Sequence, residues 1–165
     1  MKNRKGFSIV ELLIVVAILG VALSVASLSW QSYVTKTNLR SGARKVASDL
    51  TKYRTRAIGE GREYTITFNA ADKYTITAPA QDNFAAVNIS ETPIEASGAQ
   101  DAIIEDSNFT GCHVVRMTPR GLVGHCNPQV ANQSDTGTVT LKNSRDVTAT
   151  ITLNSRGTAD VIFTD

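Results

Sequence analysis

Glu11 is the only charged residue between Phe7 and Thr35. The hydrophobic run around it extends from Phe7 to Trp30, 24 residues, and the next charge is Lys36. A helix of that length spans about 36 Å, enough to cross the ~30 Å hydrocarbon core of a bilayer. A lone carboxylate near the end of such a helix is costly and demands a partner or a function. Ahead of the run lies a short basic segment, Met1 to Gly6, with Lys2, Arg4 and Lys5. One reading is a plain membrane anchor. Another is a secretory signal peptide, with Ser24 and Ala26 framing a cut after Ala26. A signal peptide has no use for a carboxylate at the head of its apolar region.

Other residues with chemical potential cluster late in the chain. Cys112 and Cys126 flank Met117-Thr118-Pro119-Arg120-Gly121, a strand-turn-strand pattern. A bridge across it closes a loop of 15 residues, which contributes roughly 3 kcal/mol in the chain-entropy account. Such a pair fits an oxidising compartment. His113 and His125 adjoin the two cysteines. Zinc is not expected there, because adjacent residues on a strand point to opposite faces and metal ligands are spaced. No nucleophile motif, paired-carboxylate pocket or phosphate loop is present, so neither an enzyme nor a cofactor is expected.

The elements that position these groups follow from periodicity. Leu39, Ala43, Val46, Ala47, Leu50, Tyr53, Ala57 and Ile58 recur at helical steps and form one apolar face. Gly59 and Gly61 are candidate C-caps. A single helix is therefore expected from Phe7 to Ile58, apolar all round in its first half and amphipathic in its second. Its polar face carries Lys36, Arg40, Arg44, Lys45, Lys52, Arg54 and Arg56 against only Asp49. That reads as a solvated face, or one that meets acidic neighbours in an assembly, before it reads as a nucleic-acid stripe. After Gly61 the period becomes two. Residues 63–68 and 73–77 alternate around Asn69-Ala70-Ala71-Asp72, a hairpin. Residues 79–101 have weak pattern and read as a surface excursion. Short strands are expected at 102–105, 112–118, 137–142, 146–153 and 158–163, with turns at Asn143–Asp146 and Asn154–Gly157.

The N-terminal stretch closely resembles the class III signal of type IV pilins and pseudopilins. The shared features are basic residues, a glycine, a phenylalanine, and a glutamate at the fifth position after the glycine. The resemblance implies that a prepilin peptidase cuts between Gly6 and Phe7 and methylates Phe7. It also implies assembly through Glu11 with other pilin or pseudopilin subunits. The N-in orientation, with the body in the periplasm, rests on this resemblance too. Charge does not decide it, since three basic residues precede the run and four follow closely: Lys36, Arg40, Arg44 and Lys45. The order of helix, hairpin and final strand pair is similar to the FimT-like and H-type pseudopilin branch. Major pilins commonly carry a proline at the position of Leu28; this chain keeps Gly20 and lacks the proline. DNA-binding FimT-like pilins carry a Gly-Arg-x-Arg motif where this chain reads Gly157-Thr158-Ala159-Asp160. Arg145 and Arg156 lie on nearby turns and are the remaining phosphate-contact candidates; such binding would be steeply salt-dependent.

The expected fold is α+β and pilin-like: a long N-terminal helix packed on a C-terminal antiparallel β domain. Expected segments are a leader at 1–6, a membrane and filament-core helix at 7–30, an amphipathic helix half at 31–59 and a β-rich domain at 60–165. The 165 residues carry a formal charge of +2. Without Lys2, Arg4 and Lys5, 14 basic side chains face 15 acidic ones, so overall charge does not point to nucleic acid. The expected role is structural: a minor pilin or pseudopilin of a type IV pilus or type II secretion pseudopilus. It would be stored as a single-pass protein among inner-membrane lipids and then moved into a filament. A DNA-binding minor pilin and an ordinary secreted protein are the alternatives.

Overall fold

The structure is a computed structural model describing residues 8–70, 73–81, 83–91, 102–109, 112–124 and 136–164; for 25–29, 31, 70 and 102 it describes the backbone alone. The chain forms two compact units, Met1–Val34 and Thr35–Asp165, and the helix α1, Ile9–Glu60, contributes to both. Ser8 caps its start. The Ser8 carbonyl accepts the Leu12 N–H at 3.1 Å, and its hydroxyl lies 3.4 Å from the Val10 N–H. At the other end, Gly61 takes a left-handed φ of 66°, which glycine adopts without a Cβ penalty and which stops the helix.

In the first unit, the apolar side chains from Ile9 to Leu23 are exposed on all sides of the helix. In the second unit, α1 buries Leu39, Ala43, Val46, Leu50, Tyr53 and Ala57. Ile58 is an exception to the expected stripe: it follows Ala57 by one residue, turns off the buried face and is half exposed.

Two antiparallel sheets complete the second unit. The first contains β1 (Tyr64–Ala70), β2 (Lys73–Ala78), β3 (Val87–Glu91), β5 (Val114–Met117) and β6 (Val123–Gly124), in the order β3-β2-β1-β5-β6. The second contains β4 (Ala102–Phe109), β7 (Gly137–Asn143), β8 (Thr148–Leu153) and β9 (Ala159–Thr164), in the order β4-β7-β8-β9. Strand alternation sends Tyr64, Ile66, Tyr74, Ile76, Val115, Val139, Leu141 and Ile151 into the core. Threonines among their neighbours pair across strands on the outer faces: Thr65 with Thr77, Thr67 with Thr75, Thr138 with Thr152, Thr140 with Thr150. Threonine suits this position because its branched Cβ favours strand geometry and its hydroxyl faces water.

The expected hairpin is present, with β1 running on to Ala70 through a bulge after Phe68. Three expectations need correction. The excursion at 79–101 contains β3, an edge strand paired with β2. Its side chains are exposed or half exposed on both faces, so no alternation marks it. The strand expected to follow the turn at Met117–Gly121 is present as β6, paired with β5, but it is only two residues long. The strand expected from 112 begins at Val114, because Cys112 instead makes a single bridge to Phe109.

Phe68 and Phe109 stack between the sheets, 6.0 Å apart at 12°. Phe109 lies opposite Gly137 in the register, and a Cβ there would collide with its ring. Both aromatic rings are buried. Gly137→Ala should therefore cost about 1–3 kcal/mol through overpacking. Urea unfolding of the detergent-solubilised protein measures it; an unchanged midpoint would mean that the Phe109 ring relaxes freely.

Candidate assembly and processing site

Gly6 and Phe7, the residues of the expected cut, lie outside the described residues. Glu11 lies in the first turn of α1, exposed, where a negative charge is favoured by the free backbone N–H groups of the helix start. Its neighbours on the helix are apolar and equally exposed. Apart from the capping Ser8 and Glu11, the described part of the run up to Ser24 holds one polar side chain, that of Ser24, whose hydroxyl donates to the Gly20 carbonyl at 2.8 Å. That bond satisfies the hydroxyl within the helix. Among the described residues, no helix is long and apolar enough to cross a membrane.

The polar face of α1 is partly committed within its own unit. Lys45 pairs with Glu91 at 3.0 Å and Asp49 at 3.5 Å. Burial alone would lower the Lys45 pKa; the hydrogen bond to Glu91 and the Asp49 charge outweigh it and hold the group above its usual value. Asp49 is buried and accepts the Tyr74 hydroxyl at 2.5 Å. Burial, then this bond, pushes the Tyr74 phenol far above its ordinary pKa. Arg40 lies over the Phe163 ring and Arg56 pairs with Glu60. Arg44, Ala47, Ser48, Thr51, Lys52 and Thr55 line an open groove of about 490 Å³.

Two arginines at the end of α1 have roles that no sequence pattern announces. Arg62 is buried. It donates to the carbonyls of Pro79 at 2.9 Å and Ala85 at 2.6 Å, and pairs with Glu60 at 2.6 Å. Tyr64 donates to Glu60 at 2.5 Å, and that bond first, with Arg62 adding to it, holds the Glu60 carboxyl below its usual range. Arg54 donates to the Gly121 carbonyl at 2.9 Å. A Cβ at Gly157 would come within 2.5 Å of Arg54 Cδ. The one sequence signal was a pair of glycines in turns, and it does not name the partner.

Arg145 and Arg156 are exposed and occupy equivalent turns. In each, an asparagine side-chain oxygen accepts two backbone N–H groups at 3.0 Å: Asn143 from Arg145 and Val147, Asn154 from Arg156 and Thr158. Each turn then places a residue at positive φ, Asp146 at 62° and Gly157 at 73°. The turns sit at opposite ends of β8, about 20 Å apart from its length. The structure thus does not bring the two arginines together.

His113 Nδ1 lies 2.6 Å from the Ser107 carbonyl and 2.9 Å from its hydroxyl. His125 and Cys126 lie outside the described residues. Among the described residues, no group of three or more His, Cys, Asp or Glu is placed to hold a metal. No described cysteine is a free thiol, which supports the proposed Cys112–Cys126 bridge. Unreduced protein in denaturant should accordingly take up no thiol reagent, and reduction should lower the melting temperature by an amount matching roughly 3 kcal/mol. Full labelling without reductant would contradict the bridge.

The prokaryotic N-terminal methylation motif matches residues 1–27. No curated protein matches the chain. Two crystal structures of the type IV minor pilin FimU of Pseudomonas aeruginosa (strain PAO1) match this chain, and the first is similar in fold. The P21 form is 12% identical, covers 81% of this chain and 92% of that one, and aligns with a TM-score of 0.52. The P65 form is 12% identical, covers 77% and 93%, and has a TM-score of 0.48. This chain carries the prokaryotic N-terminal methylation motif on a type IV pilin-like fold.

Proposed function

We propose that this protein is a structural subunit of a type IV pilus or a related pseudopilus, a minor pilin in kind, assembled through its N-terminal helix. The observation that carries this reading is the methylation motif at residues 1–27, with Glu11 alone among exposed apolar side chains. A prepilin peptidase removes residues 1–6, and Phe7 becomes the N-methylated first residue. The subunit waits in the inner membrane with its body in the periplasm. In the filament, other subunits cover the apolar half of the helix. The helix leading directly into the β1–β2 hairpin supports the FimT-like and H-type branch.

An unpaired carboxylate inside an apolar bundle is disfavoured by several kcal/mol. The new amine on Phe7 supplies the opposite charge, from its own helix or from a staggered neighbour. Between subunits, such a pair fixes axial register, since one offset satisfies both charges. DNA capture is less well supported: the arginine motif is absent at Gly157–Asp160, and Arg145 and Arg156 stand apart on opposite ends of β8.

Mass spectrometry of the mature protein should find N-methylated Phe7 as the first residue. Glu11→Ala or Glu11→Val should leave a processed, membrane-held protein with a folded β domain that no longer enters filaments. A mature chain beginning at Ser27 would sink the pilin reading, and normal incorporation of the Glu11 variants would refute the register role.

A further inference from the structure

We infer that Trp30 and Tyr33 form an interfacial anchor that seats the stored subunit in a phospholipid bilayer, with Glu11 at the opposite boundary. The inference rests on the membrane reading above and adds depth and occupant to it. Both residues belong to the first unit and are among its most exposed side chains, Trp30 at 70% and Tyr33 at 67%. Three positions apart on a helix, they are neighbours on one face. Each has an apolar ring and one polar tip, an indole N–H or a phenol O–H, the chemistry that favours the boundary between acyl chains and headgroups.

Their position along the chain selects that boundary. Before Trp30 the sequence is apolar back to Glu11, with Ser24, Ser27 and Ser29 its hydroxyl residues; after Tyr33 come Lys36 and Arg40. Those cations suit anionic headgroups just outside the hydrocarbon. From Glu11 to Trp30 the helix advances 19 residues, or about 28 Å. That is close to the ~30 Å of a hydrocarbon core. A helix seated by Trp30 and Tyr33 therefore holds Glu11 at the far boundary, where its carboxylate stays hydrated. The stored subunit does not need a partner for Glu11. The demand for one arises when the helix leaves the bilayer and enters an apolar bundle. Ser24 fits the same placement, since its hydroxyl is already bonded to Gly20 within the helix.

Trp30 is the single tryptophan of the chain, so its fluorescence reports this position alone. The full chain is reconstituted into phosphatidylethanolamine–phosphatidylglycerol vesicles containing lipids brominated either near the ester carbonyls or near the chain ends. Vesicle flotation is measured in parallel. The expected result is co-flotation, a blue-shifted Trp30 emission, and stronger quenching by the shallow bromines than by the deep ones. A Trp30→Phe, Val21→Trp double variant, which moves the indole to the middle of the Glu11–Trp30 span, should reverse that order. Co-flotation with stronger deep quenching, or with unshifted emission and no quenching by either lipid, would overturn the anchor while leaving the membrane reading intact. Failure to float would overturn both.

Discussion

Among the described residues, the apolar side chains that open α1 are left uncovered. Eleven large apolar side chains between Ile9 and Leu23 lie exposed on the helix, at 47% to 79% of their full area. Removing them from water is favourable by on the order of 10–20 kcal/mol. Burying one carboxylate without a partner opposes this by several kcal/mol. The apolar term wins by a wide margin, so the segment must be covered by lipid or by other helices. Glu11 does not decide whether that happens. It decides which arrangements are allowed, because offsets that leave it unpaired lose much of the gain.

The second unit is built to be independent of that event. Its half of α1 buries one stripe, and two sheets close over it. Beside the apolar core, side-chain hydrogen bonds join segments distant in sequence: Tyr74 to Asp49, Arg54 to the Gly121 carbonyl, and Arg62, just past the helix, to the carbonyls of Pro79 and Ala85. Each lies within the Thr35–Asp165 unit. A substitution at Glu11 removes none of them. That separation is why assembly and folding of the body should respond differently to changes at the N-terminus.

Much of this was legible in the sequence, because it is written in periodicity. The helix, its change from all-round apolar to amphipathic, the hairpin and the C-terminal strands follow from steps of 3.6 and 2. What was not legible has a physical reason in each case. The strand β3 is an edge with both faces exposed, so it carries no alternation. A strand after the turn at Met117–Gly121 was legible, but its two-residue length was not, since so short a segment carries no pattern of its own. Asp49 read as the lone acid on a basic face, but its bond to Tyr74 turns it inward, and only long-range contact reveals that. Arg145 and Arg156 read as phosphate-contact candidates on two similar turns, but the sequence does not give their distance; the strand between them sets them apart. The expected processing residues, Gly6 and Phe7, lie outside the described residues; their reading rests on the resemblance of a linear signal, which no fold is needed to display.

The claim on which the account rests is that Glu11 is neutralised by a Phe7 amine when the helix enters the filament. Cryo-electron microscopy of the assembled filament containing this subunit measures it directly. The account predicts a Glu11 carboxylate oxygen within about 4 Å of a Phe7 nitrogen, the distance of an ion pair, with one axial offset shared along the filament. A Glu11 side chain facing solvent, or buried with no cation beside it, would contradict the account.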